Sequence, residues 1–241
     1  MKKLLLFFSL CGATAYASAT GYYLVSTYPN EGERTVDFKY WNAKAKGGPR
    51  VDAPEIGFGY NVNARWFTEV SASWLRVSPG SQQLAALEWQ NDVMLTQGQY
   101  PIDVALHSTI ERSQSDHGIE LQFGPVLQTE YKRTQFNLNL FLEREYRVDE
   151  PTEAEFTYQW QVRQHLSRKF DVGLQGFGEL GKWNDWLPRS EQAHRAGPAV
   201  FGSVDMGGAA ALKYEAAYLI GKTSGHRKGA FTTRIQYIFE S

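Results

Sequence analysis

The residues with the most chemistry to offer are carboxylates set at alternate positions among apolar neighbours. Asp37 and Lys39 interleave with Val36, Phe38 and Tyr40, Glu55 precedes Ile56, Glu69 precedes Val70, and Glu88 and Asp92 flank Trp89. A period of two belongs to an extended strand, whose successive side chains point to opposite faces. Each such strand has one charged face and one greasy face. By the same count Glu120, Glu130, Glu143, Arg163, His165 and Glu179 fall on the polar face, as do Lys213, Glu215 and Arg234. Asp103, His107, Glu111, Glu145 and Asp171 join them. Gathered on one surface, these groups form an acidic lining that attracts cations and repels anions wherever water reaches it. The alternative is that the carboxylates pair with Arg, Lys and Gln across strands and fill a narrow interior, because unpaired buried charge is costly. Lys39, Arg163, Lys213 and Arg234 are too few for full pairing. Either water fills the interior, or some acids sit at its mouths.

Other chemistries are poorly served. His107-Ser108-Thr109 is the nearest approach to a histidine–serine pair, but alternation sends His107 and Ser108 to opposite faces, which is wrong for nucleophilic catalysis. The five histidines, 107, 117, 165, 194 and 226, have no metal-ligand spacing. Neither catalysis nor a metal is expected, and no cofactor is implied. The best binding candidate off the strands is Trp183-Asn184-Asp185-Trp186-Leu187-Pro188-Arg189, which sets Trp183 and Trp186 beside Asp185 and Arg189 in the 181–197 loop. That loop either folds into a mouth as a constriction or gate, or lends its indoles to an interfacial aromatic girdle; the girdle is the plainer expectation.

Positioning such faces takes long strands. Gln135–Glu143 alternates Phe136, Leu138, Leu140 and Leu142 against Gln135, Asn137, Asn139 and Glu143, with Phe141 the one apolar residue on the polar face. After a charged break, Phe156, Tyr158, Trp160 and Val162 alternate against Thr157, Gln159, Gln161, Arg163 and His165. Strands of about ten residues, aromatic on one face and charged on the other, suit a barrel with lipid outside and a watery lumen inside. Continuing the alternation gives about twelve strands, an even number as bacterial barrels require. They are Arg34–Asn42, Pro54–Val62, Trp66–Arg76, Leu84–Leu95, Ile102–Arg112, Gly118–Tyr131, the hairpin over 134–166, Phe170–Leu180, Pro198–Val204, Ala211–Leu219 and Ala230–Phe239. Pro198–Val204 alternates weakly. Connections after the even strands are short, and those after the odd strands, at 43–53, 77–83, 113–117, 147–153, 181–197 and 221–229, are mostly longer and polar. Short periplasmic turns and long outer loops make that asymmetry. The expectation is an all-β, antiparallel, up-and-down transmembrane barrel.

Composition agrees. The formal net charge is −1, which gives no reason to expect nucleic acid, and aromatics are 14% of the chain, enough for two interfacial girdles. Met1-Lys2-Lys3, an apolar run to Ala13 and Ala17-Ser18-Ala19 fit a signal peptide over 1–19. Cys11, the only cysteine, would leave with it, excluding disulfides and thiol catalysis. Residues 20–32 form a lead-in, a periplasmic strand or a plug, and 33–241 the barrel. Phe231, Ile235, Tyr237 and Phe239 alternate toward an aromatic ending of the kind that outer-membrane assembly machinery reads, although Glu240 and Ser241 follow.

Gly57-Phe58-Gly59-Tyr60, Arg65-Trp66-Phe67-Thr68-Glu69, Phe123-Gly124-Pro125, Tyr158-Gln159-Trp160-Gln161 and Gly176-Phe177-Gly178-Glu179 resemble an uncharacterised family of proteobacterial outer-membrane barrels. That family is related to putative transporters of aromatic, phenol-type degradation pathways. The resemblance implies an outer-membrane location and suggests transport; it brings no catalytic or binding residues. The partners expected are outer-membrane lipid, the assembly machinery and a small solute. The leading expectation is a passive channel, cation-preferring. A closed structural or surface-interaction barrel is the alternative, and a lipid-modifying enzyme using Ser108 the remote one.

Overall fold

The computed structural model describes residues 22–25, 30–45, 49–114, 117–146, 152–167, 169–223 and 226–240. The signal-peptide expectation over 1–19 lies outside them. Twelve strands run β1 (Arg34–Ala45), β2 (Arg50–Asn63), β3 (Trp66–Val77), β4 (Gln83–Met94), β5 (Asp103–Ser113) and β6 (Ile119–Tyr131). They continue as β7 (Thr134–Tyr146), β8 (Glu155–His165), β9 (Asp171–Lys182), β10 (Ala193–Gly207), β11 (Ala210–Thr223) and β12 (His226–Phe239). Each pairs antiparallel with its sequence neighbours, and β1 pairs with β12, from Arg34↔Phe239 to Ala45↔Lys228, to close the barrel. Closure leaves no strand edge unpaired, the condition for β-structure in lipid.

The register sorts side chains as the alternation predicts. Val70 and Phe123 point outward and are 57% and 55% exposed, while Phe141 points inward and is fully buried. A continuous band of exposed Phe, Trp, Leu, Ile and Val around the outside is an apolar surface of membrane type, far larger than a soluble protein tolerates.

Three expectations need correction. β10 runs from Ala193 to Gly207, well beyond Pro198–Val204. Its inward face carries Ala193, Ala199 and Phe201, so polar and apolar residues do not alternate and the pattern was hidden. The 181–197 loop shrinks accordingly to 183–192. The 43–53 loop is mostly strand, because β1 and β2 continue to Ala45 and back from Arg50. Strand ends that project beyond the apolar belt need no greasy outer face, so they look like loop in sequence. The contrast in loop length is weaker for the same reason: β11 and β12 meet across 224–225, and the connection after β4 spans 95–102.

Candidate functional site: the barrel lumen

Register places these carboxylates and bases on the inner face, where they divide into two unlike walls. One wall, on β1–β3 and β8–β12, is largely self-neutralised. Lys39 Nζ lies 2.8 Å from Glu55 and 2.9 Å from Glu69. Arg234 reaches Asp37 at 2.5 Å, and Arg163 reaches Asp171 at 2.6 Å, with His165 Nδ1 3.1 Å from the same carboxylate. Lys213 and Glu215 lie beside Arg234 and line the cavity. Two glycines make room for this network. A Cβ on Gly57 would come within 2.7 Å of the Glu69 carboxylate, and one on Gly59 within 2.6 Å of the Phe67 ring.

The other wall, on β4–β8, sets glutamates opposite one another across its strands. Glu88 is the register partner of Glu111, Glu111 of Glu120, and Glu120 of Glu145, so four glutamates form one row across four adjacent strands. Glu143 faces Glu155 on the next pair. Like charges directly opposite across a sheet repel, so such a row needs water or cations beside it. Below the row runs a hydrogen-bonded chain. Asp92 is 2.6 Å from His107 Nδ1, His107 Nε2 is 3.2 Å from Gln122 Oε1, and the Gln122 amide donates to Glu143 at 3.1 Å. Both His107 ring nitrogens therefore face oxygen acceptors, and Ser108 lies on the outer face. Glu179 faces inward beside Thr157 and Ala193, and Glu130 lies exposed at the mouth where β6 ends.

Sequence reasoning left residues 20–32 open between a periplasmic strand and a plug, and did not foresee how their described part crosses between the walls. Tyr22–Val25 lie inside the barrel. Tyr22 meets Trp41 and Phe177 edge-on at 5.5 and 5.6 Å, and the Arg195 guanidinium sits 4.5 Å from its ring centre. Val25 N donates to Gln159 Oε1 at 3.2 Å, Asn139 donates to Val25 O at 3.0 Å, and Arg234 to Leu24 O at 3.4 Å. Tyr22 and Tyr23 pack into an inner apolar cluster with Trp41, Phe177, Phe201 and Leu219, and Val25 packs against a second one of Met94, Ala105, Val126 and Phe141. The segment is thus a strap from one wall to the other. An isolated apolar residue on a polar face was its only signal, and Phe141 was visible as such.

Beside the strap lies a cavity of about 290 Å³, lined by Tyr23, Glu55, Glu88, Glu111, Lys213 and Glu215 among others. Tyr23 Oη, Ser73 Oγ and Glu215 Oε1 are buried there without a hydrogen-bond partner among the described residues. A polar occupant, water or solute, satisfies such groups. Burial, reinforced by Glu55, holds the Tyr23 phenol well above its usual range, so it stays neutral.

The 183–192 loop does not enter the lumen. Trp186 stacks on the outward-facing Phe156 at 6.0 Å, Leu187 covers Gly181, and Trp183 and Trp186 stay more than half exposed. Asp185 and Arg189 are exposed in the same loop. Among the described residues it is the strap, not this loop, that crosses the lumen.

No protein-family model and no curated protein matches the chain. Solved structures do. An outer membrane channel from Pseudomonas putida F1 superposes with a TM-score of 0.62 at 10% identity, over 88% of this chain and 96% of that one. The NanC porin gives a TM-score of 0.58 at 10% identity, over 86% of this chain and 100% of that one. The KdgM porin, solved in complex with oligogalacturonate, gives 0.57 at 9% identity, over 86% and 99%. At such identity the likeness speaks for the fold alone: this chain is a closed, twelve-stranded, antiparallel β-barrel with the fold of outer-membrane barrels.

Proposed function

We propose that the protein is a passive outer-membrane channel for small polar solutes, with a preference for cations, and that the Tyr22–Val25 strap closes it. The observation that carries this reading is the glutamate row Glu88, Glu111, Glu120 and Glu145, of which Glu88 and Glu111 line a polar cavity. Those carboxylates of the row that carry charge raise the local concentration of cations and lower that of anions. The fold shared with the P. putida channel and the two porins supports the transport reading. Residues 1–19 are a signal peptide in this scheme, so Tyr22 lies near the mature N-terminus. The end where β1 starts and β12 finishes is then periplasmic, and β12 serves the assembly machinery. A closed barrel acting through its outer loops is the second reading, and the strap is what favours it.

Planar-bilayer recording of the refolded protein tests the proposal. Discrete conductance steps are expected, larger or more frequent in Tyr22→Ala. Silence from folded wild type and Tyr22→Ala alike would leave the closed barrel.

A further inference from the structure

Every acidic residue in the twelve strands faces the lumen except Asp52, whereas most strand bases at the end opposite Arg34 face outward. On β1, β2, β3, β5, β7 and β11 these are Lys44, Arg50, Arg76, Arg112, Arg144 and Lys222. They form a collar above the apolar belt. Asp52 organises the densest part of it. Its Oδ1 accepts from Arg50 Nε at 2.9 Å and from Tyr40 Oη at 2.6 Å, and its Oδ2 accepts from Arg76 Nη2 at 2.8 Å. Asp52 itself is 3% exposed, while the Arg50 and Arg76 side chains are 51% and 49% exposed. A buried carboxylate thus holds two half-exposed guanidinium groups side by side, with Arg50 Nη2 also donating to Tyr40 Oη at 3.0 Å. Lys44 is the register partner of Arg50 and adds a third positive charge, leaving a net excess of two. The site sits on the outer wall, where it cannot serve the lumen.

We infer that Lys44, Arg50 and Arg76, clamped by Asp52, form a binding site for the phosphate of a phosphorylated lipid headgroup in the outer leaflet. Paired guanidinium groups match phosphate oxygens in number and geometry. The height fits as well, because Phe38 and Ile56, two or more residues nearer the middle of β1 and β2, are exposed apolar side chains suited to acyl chains. This inference rests on the outer-membrane reading above.

The test is native mass spectrometry of the folded full-length protein in dodecyl maltoside, with diphosphorylated lipid A and its dephosphorylated form as probes. Wild type is expected to retain the phosphorylated lipid preferentially. Arg50→Gln/Arg76→Gln should lower that retention about tenfold, as expected for two charge-assisted contacts. Arg34→Gln, at the other end of β1, should retain lipid as wild type does. Equal retention of the two lipids by wild type overturns the inference, and so does unchanged retention in the double variant. If the double variant does not fold, the wild-type comparison alone decides. Retained heat-dependent gel mobility without lipid preference would reject the site while leaving the membrane barrel standing.

Discussion

At the scale of single residues, the two walls of the lumen make different predictions. Lys39 is a buried hub, 5% exposed, that bridges Glu55 and Glu69 with one ammonium group. Lys39→Met strands two carboxylates in the interior, and breaking a buried pair in this way costs about 3–5 kcal/mol. The expected outcome is a clear drop in the temperature at which the folded band on a denaturing gel converts to the unfolded one. An unchanged temperature would mean that water already screens these charges. Tyr22 offers a contrast, because it holds the strap rather than the wall. Truncating it to Ala removes an aromatic anchor worth about 2 kcal/mol, roughly thirtyfold in the bound-to-free ratio of the strap. Conductance should rise while the unfolding temperature barely moves. A lower unfolding temperature without a gain in conductance would make Tyr22 a structural filler.

At the scale of elements, legibility followed the solvent. β6 and β7 could be read residue by residue because lipid demands an apolar side chain at every second position, and water or charge occupies the others. The carboxylates on the lumen face were legible for the same reason. β10 was not, because its inner face packs against other protein and carries alanines, and nothing local separates an alanine facing a strap from one facing lipid. Cross-strand register is also illegible in a single strand, so the sequence offered each glutamate but not the row that joins Glu88 to Glu145. The strap could be read only as a choice between a periplasmic strand and a plug, because a tyrosine pair in a short lead-in has no periodicity to place it. The 183–192 loop carries its own prediction. Since Trp186 stacks on the outer wall, Trp186→Ala should leave ion selectivity unchanged, as measured in the same bilayer. A changed selectivity would return that loop to the pore.

At the scale of the whole molecule, charge is sorted by face: acids inside, apolar residues around the middle, bases on one outer rim. A net charge of −1 conceals this entirely, because the excess inside and the excess outside nearly cancel. Such sorting makes sense only if the inside and the outside meet different media. Refolding into lipid vesicles should therefore succeed where refolding in plain buffer gives aggregate, and the folded form should migrate apart from the boiled form on a gel. The central claim, that an acid-walled lumen carries cations, is tested most directly by the reversal potential of the open channel under a salt gradient in a planar bilayer. The account predicts a potential of cation-selective sign that moves toward zero in Glu111→Gln/Glu120→Gln. A potential of anion-selective sign, or one unmoved by removing both charges, would contradict it.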